Sequence, residues 1–583
     1  MLRLLPAALL ATLLALPAAA QVLRGGTSSD TPARPVTRAA AITDARVIVA
    51  PGRALERATV VVRDGRIVAV GRDARVPFDA DVIAGDSLWV YAGFVDAYAS
   101  AGVQKPEDMG SYNGDRGDPP RERAGITPDV DVRARYKPSD ATVKALREAG
   151  FGAAHVVPGA GMLPGMGGVV LLRDAGRGER TESLFLAGTE TALAQIDGAS
   201  GVYPATPMGV LAVFRETMEN ARRDRAQRQT FSQDATRALR PTYDPVYDAL
   251  APVVGGERTL VFHAETWLSA YRALRASQEA GVERLVLAGV PDVRPVLPRL
   301  AASGVPFVAP LALPDTVKTD SLARSIALPP RTQAEPGGVS FVTDRRTVAV
   351  ADLERETAIL TAQRVASVQS AEASPARLDS AGVTWAFGSF GAKGKDVLPN
   401  LRRMVGAGLA PDRALAALTT TPAEMLGVGG ALGTVEPGRL ANLVIATGDL
   451  FADSSAIRYV YVEGVRHEIE AKPAKKAGDP DAVVTAVGTW DFVASVPGGD
   501  QTGTFTVAGE EGAYTGTITS DGDGETDDLV SVTVEGDVLT FVVNQDGGPQ
   551  ITVSGTISDA EFDGTADVGS FGSFPLTATR RPE

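Results

Sequence analysis

The stretch WVYAGFVDAYASAG, from Trp89 to Gly102, divides the chain into two kinds of sequence. Apart from Asp96 and Ser100 it is apolar, and it has the shape of a strand that delivers side chains to a site at its end. Upstream, AITDARVIVAPGRALERATVVVRDGRIVAVGRDARV, starting at Ala41, consists of β-branched runs separated by Pro-Gly and Asp-Gly turns, which predicts a small antiparallel sheet. Downstream, as far as about Gly430, segments such as TLVFHAE, ERLVLAGV and VTWAFGS alternate with helical stretches such as TWLSAYRALRASQEAG and VLPNLRRMVGAGL. That alternation predicts parallel strands joined by crossover helices, hence an α/β barrel or a doubly wound sheet.

The alternating region exceeds the roughly 250 residues of a typical eight-fold barrel, and insertions account for the surplus. One is the Gly/Pro/Asp-rich excursion from Gln104 to Lys137, and another is the long polar helix VLAVFRETMENARRDRAQRQTFSQDATRALR. LGTVEPGRLANLVIATGDLFADSSAIRYVYVEGVRHEI then returns to short strands, and AKPAKKAGDPDA is a linker. From about Val487 the pattern is a series of short strands at ~8–12-residue spacing, as in an all-β barrel or sandwich. The start, MLRLLPAALLATLLALPAAAQ, has one basic residue, an apolar run from Leu4 to Leu16, and Ala18 and Ala20 at the spacing a signal peptidase reads. The expected organisation is a signal peptide over 1–20, a flexible leader over 21–40, and β-sandwich over 41–88. A barrel over 89–431, further sandwich over 432–470, a linker over 471–486 and an acidic all-β domain over 487–583 follow. After cleavage the protein is expected to be periplasmic or secreted, with no membrane span.

Composition narrows the chemistry. The net charge of −14 is uneven: from Ala477 to Glu583, 19 acidic residues face only Arg580 and Arg581, giving −17 there and +3 before. Such an acidic tail argues against nucleic acid, whose phosphates need cationic partners. Cysteine is absent, which excludes disulfides and thiolate sites, and the histidines are His155, His263 and His467 alone. SDGDGETDD, Ser520 to Asp528, places oxygen donors at alternating positions but lacks the distal Glu and flanking helices of an EF-hand. It reads as an acidic hairpin turn, with weak calcium affinity as the alternative.

The order of small sheet, GFVDAYAS, barrel and GTVEPGRLANLVIATGDL resembles the amidohydrolase superfamily, in particular its imidazolonepropionase-like branch. RDGRIVAVG, AGFVDA and GTVEPGRLANLVI stand where its framework motifs stand, over about Ala41 to Ile469. The resemblance implies a (β/α)8 TIM barrel beside a composite β-sandwich built from both flanking segments. It also implies hydrolysis of carbon–nitrogen bonds by one or two divalent metals at the barrel mouth, where the metal lowers the pKa of its bound water toward about 7. The family's ligand positions map onto Tyr98 and Ser100 on the first strand, His263 on the fifth, Ala288 and Gly289 on the sixth, and Phe390 on the eighth. Only the histidine is retained. A phenol, an alcohol and a benzyl ring are poor donors for zinc or a related ion, so no metal cofactor is expected. In the tail, Gly488-Thr489-Trp490 with Arg580 is similar to lipocalin-like barrels, which implies an arginine stacked on the tryptophan at a barrel floor.

His263 has three readings: a remnant ligand, a general base, or a barrel-mouth histidine held by hydrogen bonds. His155 is a candidate to approach it across the mouth. Glu265 and Lys393 are candidate pocket residues, Lys393 and Lys395 toward an anion, and Asp96 belongs to the framework through backbone N–H bonds. The functional expectation is an exported amidohydrolase-family protein, by resemblance a hydrolase of non-peptide carbon–nitrogen bonds. Its metal site is read as dismantled, leaving a binding or regulatory partner of a metal-competent amidohydrolase in a homo- or hetero-oligomer. The alternative is an active hydrolase of cyclic amides or dipeptides with a nonstandard site around His263. A third class, a carbohydrate or peptide binder, rests on the shape of the acidic β domain.

Overall fold

The computed structural model describes residues 39–106, 109–236, 239–314, 350–469, 486–496, 499–510, 513–522, 524, 526–544, 550–558, 560–568 and 573–581. The expected signal peptide, all but the end of the leader and nearly all of the linker lie outside them. The chain divides into two units, 1–469 and 470–583.

In the first unit, β1 (Ala40–Ala50) and β2 (Arg53–Arg63) pair antiparallel around Pro51-Gly52, and β3 (Arg66–Gly71) joins β2 through Asp64-Gly65, as the turn residues predict. β4 (Asp81–Ala84) and β5 (Trp89–Ala92) run parallel to β1. The WVYAGFVDAYASAG stretch is therefore two strands rather than one: β5 stays in the flanking sheet, and β6 (Phe94–Ala99) opens the barrel. The change of sheet happens at Gly93, whose N–H donates to the Asn442 carbonyl at 2.8 Å. A Cβ there would lie 3.0 Å from the Asn442 carbonyl carbon, so the close crossing suits glycine.

The barrel sheet runs in order through β6, β7 (Phe151–Val156), β8 (Met166–Leu171), β9 (Thr191–Gln195), β10 (Leu260–His263), β11 (Leu285–Ala288), β12 (Phe307–Pro310) and β13 (Trp385–Gly388). The Phe390 N–H donates to the Tyr98 carbonyl at 3.2 Å and brings the last strand back beside the first. One strand departs from the expected all-parallel pattern: β8 is antiparallel to both β7 and β9. The connection over 157–165 is shorter than the dozen or so residues a parallel crossover needs, so the chain turns back as a hairpin. The long polar insertion forms helix Pro207–Gln233, followed by helix Pro245–Val254, between β9 and β10. Ala97, Leu193, Val261, Val286, Val308 and Ala386 pack the barrel interior, which is a core and not a pore.

The chain then re-enters the first sheet through β14 (Leu443–Ala446), β15 (Ile457–Val462) and β16 (Val465–Glu468). The order β16-β15-β14-β5-β1-β2-β3 joins both flanking segments into one sheet, the composite arrangement the resemblance implies. Among the described residues, no helix is long and apolar enough to cross a membrane.

The second unit is a closed antiparallel barrel of β17 (Gly488–Val496), β18 (Gly499–Ala508), β19 (Thr515–Ser520), β20 (Thr526–Glu535), β21 (Val538–Asn544), β22 (Gln550–Ser558), β23 (Glu561–Asp567) and β24 (Ser573–Arg580). Trp490, Phe505, Phe541 and Phe562 fill one end. The Trp490 indole N–H donates to Ala486 O at 3.0 Å, and the Arg580 guanidinium lies 5.6 Å from the Trp490 ring centroid.

A buried ion-pair network ties the barrel to the flanking sheet. The Arg173 guanidinium, just past β8, donates to both Glu179 oxygens at 2.7 Å and to Glu463, in the β15–β16 turn, at 2.8 Å. Arg173 and Glu179 side chains are each 2% exposed. Removing one partner of such a pair leaves an uncompensated buried charge, so Arg173→Met is expected to destabilise the first unit by about 3–5 kcal/mol in urea unfolding. Hydrogen bonding from Arg173 lowers the Glu179 pKa to about 2. Because the folded state then binds fewer protons than the unfolded chain, the stabilisation is present above about pH 4.5 and lost as the pH falls toward 2. A wild-type stability profile over that window should slope downward with acid, and the slope should shrink in Arg173→Met.

Candidate functional site

The mouth of the first barrel gathers side chains from the ends of three strands. Tyr98 from β6 and Phe390, just after β13, stack with ring centroids 4.5 Å apart and planes 13° from parallel. The His263 ring, at the end of β10, lies against both, 5.3 Å from Tyr98 and 5.7 Å from Phe390. Phe390 holds a left-handed backbone (φ 48°), which turns its ring back over the mouth. Gly289, after β11, packs so closely on His263 that a Cβ would stand 2.7 Å from Nε2. Ala288, at the end of β11, is fully buried in the same apolar cluster as Tyr98. Apart from Ser100, the positions that the sequence mapped to metal ligands are thus adjacent in space, and most carry apolar contact.

The remaining sequence-stretch candidates are less central. Ser100 lies one residue beyond β6 and is exposed, as are Glu265 and Lys393. Glu265 faces the imidazole from its own segment, and a carboxylate the sequence analysis did not single out, Asp197, faces it from the loop after β9. Its place two residues beyond a strand end was the available signal. Burial is the main cause that lowers the His263 pKa, against the opposing pull of Glu265 and Asp197, so the ring is held neutral near neutral pH. Among the described residues no hydrogen bond to the His263 ring is found, and stacking holds it in place of the expected hydrogen bonds. His155 does not join it: Nδ1 bonds Ala97 O at 3.1 Å and Nε2 bonds Thr191 Oγ1 at 2.7 Å, in full burial. Burial lowers the His155 pKa to about 4.

Asp96 lies beneath the stack. One carboxylate oxygen accepts the backbone N–H groups of Tyr98 and Ser389, each at 2.9 Å, which clamps the end of β6 to the end of β13. The other oxygen is buried with no hydrogen-bond partner among the described residues. This is the framework role expected for Asp96, and it positions both rings of the stack.

The donor set decides whether a divalent ion fits. Tyr98 is buried and its phenol pKa is raised by that burial, so it stays protonated. Phe390 and Ala288 donate nothing, and His263 is one imidazole. Among the described residues no three His, Asp or Glu side chains converge as metal ligands would. A catalytic zinc needs about three protein ligands, and the described residues at this mouth do not fit it.

Residues 309–466 match the model of the amidohydrolase family, a span that begins within β12 and takes in β13, β14, β15 and the start of β16. A solved amidohydrolase from Thermotoga maritima shares the architecture over 73% of this chain and 98% of its own, with 20% identity and a TM-score of 0.55. A Xaa-Pro dipeptidase with bound methionine aligns over 74% of this chain and 100% of its own, at 16% identity and a TM-score of 0.39. An adenosine deaminase from Xanthomonas campestris with bound zinc aligns over 73% and 92%, at 15% identity and a TM-score of 0.36. No curated protein matches the chain. The family match covers a minority of the chain, and the architecture shared with the Thermotoga protein shows that the barrel and its flanking sheet have the fold of that solved amidohydrolase.

The buried carboxyl yields a stability prediction. Burial pushes the Asp96 pKa up to about 7 from an ordinary 3.8. Between those values the folded state keeps a proton that the unfolded chain has lost, so stability falls as the pH rises from about 4 to about 7 and then levels. Asp96→Asn retains an oxygen for the two backbone N–H groups and removes the titration. It should flatten that part of the unfolding profile, measured by urea denaturation at half-unit pH steps.

Proposed function

We propose that this is an exported amidohydrolase-fold protein that does not use the metal chemistry of its superfamily and acts as a binding or regulatory partner of a metal-competent amidohydrolase. The observation that carries the proposal is the aromatic stack. Tyr98, Phe390 and His263 meet at the mouth in ring-on-ring contact at 4.5–5.7 Å, at positions onto which the resemblance maps metal ligands. Export is supported by the apolar run from Leu4 to Leu16 with Ala18 and Ala20 behind it.

A second reading has its own observation in support. His263 is held neutral, with the carboxylates of Glu265 and Asp197 facing it, and a neutral imidazole can take a proton from water or substrate. Under that reading the chain hydrolyses cyclic amides or dipeptides without the usual ligand set.

Metal analysis of the purified full chain, after incubation with zinc and desalting, separates these possibilities from the ancestral one. The expected result is far less than one equivalent, unchanged in His263→Ala. About one equivalent of retained zinc that disappears in His263→Ala would overturn the proposal. A panel of lactams, hydantoins and dipeptides should show no turnover above buffer. Turnover abolished by His263→Ala without added metal would establish the second reading instead.

A further inference from the structure

The C-terminal barrel contains a cavity of about 690 Å³, against about 160 Å³ for one at the N-terminal end of the first barrel's strands, beneath Val261 and Val286. We propose that this larger cavity binds an amphipathic cation: a small molecule with an apolar body and an ammonium or guanidinium head. The inference is independent of what the first barrel does.

The cavity follows from side-chain size along the strands. On β17 the inward residues shrink from Trp490 through Phe492 to Ala494, and on β18 they run from Phe505 through Gly503 to Gln501. The aromatic end is packed solid, and the other end is left hollow. A volume near 690 Å³ falls within the roughly 300–1,000 Å³ of pockets that take drug-sized molecules. Much of its wall is apolar, with Phe492, Val543, Ile551, Val553, Phe574 and Leu576 among the lining residues.

The polar lining specifies the head group. Asp527 pairs across the ladder with Ile518, another lining residue, and thus belongs to the inward-facing set. Its carboxylate has no hydrogen-bond or ion-pair partner among the described residues. Asp500 and Asp521 also line the cavity, satisfied by Ser495 Oγ at 2.9 Å and Thr502 Oγ1 at 2.8 Å, both neutral donors. No lysine or arginine lines it. Arg580 is engaged with Trp490 at the packed end, and Arg581 pairs with Asp491 at 2.7 Å on the outer face. A cationic head would satisfy the Asp527 carboxylate while its body covers the apolar wall. An anion of the same size would meet three acids, and a neutral molecule would leave Asp527 without a charge partner.

Calorimetric titration of the full chain with dodecylammonium, dodecanol and dodecanoate, each below its micellar concentration, tests this. One saturable site for dodecylammonium is expected, with dodecanol and dodecanoate weaker by about tenfold or more, as for loss of one charge-assisted hydrogen bond. Asp527→Asn should bring dodecylammonium to within a few-fold of dodecanol and leave dodecanol itself unchanged. Ala566→Trp, which fills the cavity, should abolish all three, with circular dichroism showing that the barrel remains folded. Absence of saturable dodecylammonium binding, equal binding of dodecanoate, or dodecylammonium binding unchanged by Asp527→Asn would each overturn the proposal.

Discussion

The passage of the chain from flanking sheet to barrel turns on Asn442, and the geometry of the mouth depends on it. Its backbone carbonyl accepts the Gly93 N–H where β5 gives way to β6, and its side-chain oxygen accepts the Glu463 N–H in the β15–β16 turn at 2.8 Å. The side chain also sits where a Cβ on Gly152, in β7, would come within 2.9 Å of its amide nitrogen. Asn442, 4% exposed, thus bonds the chain just before the first barrel strand and the return of the flanking sheet, and packs against the start of the second strand. Backbone groups buried at such a junction must find partners, and the two oxygens of Asn442 supply acceptors where no regular ladder can, while its amide nitrogen has no hydrogen-bond partner among the described residues. Arg173, bound to Glu179 and Glu463, braces the same turn from the other side.

At the opposite end of those strands the barrel mouth is closed by packed rings. Asp96 draws the ends of β6 and β13 together through two backbone N–H groups. The side chains it positions are rings in offset contact, an arrangement worth about 0.5–1.5 kcal/mol per pair beyond area burial. A mouth lined by several imidazoles and carboxylates would carry mutual repulsion unless an ion were bound. Aromatic and aliphatic side chains carry no such cost.

The sequence disclosed those parts of the fold in which local chemistry and global placement agree. Pro51-Gly52 and Asp64-Gly65 announce the hairpins because those turns need such residues, and GRLANLVI announces β14 because Asn442 serves a junction rather than a surface. The tail's turn spacing gave its strands, and Trp490 with Arg580 gave its floor. What stayed hidden depends on through-space contact. That β5 and β6 part at Gly93 is invisible in an unbroken apolar run, and the reversed direction of β8 is set by loop length rather than by its own residues. His155 looked available because hydrogen bonds to Thr191 and to the Ala97 carbonyl leave no local signature. Asp527 was legible as part of an acidic turn, but its inward orientation follows from ladder register, which one residue of slip would reverse.

The hydrogen bonds between β17 and β24 carry one more implication. A closed antiparallel barrel offers no free edge for another strand to add to, so this acidic module is shielded from templated aggregation once complete. Until then its earliest strand exposes an unpaired row of amides and carbonyls. Because that row waits for the strand made last, about ninety residues later, ring closure is a long-range event that synthesis must finish before it can begin.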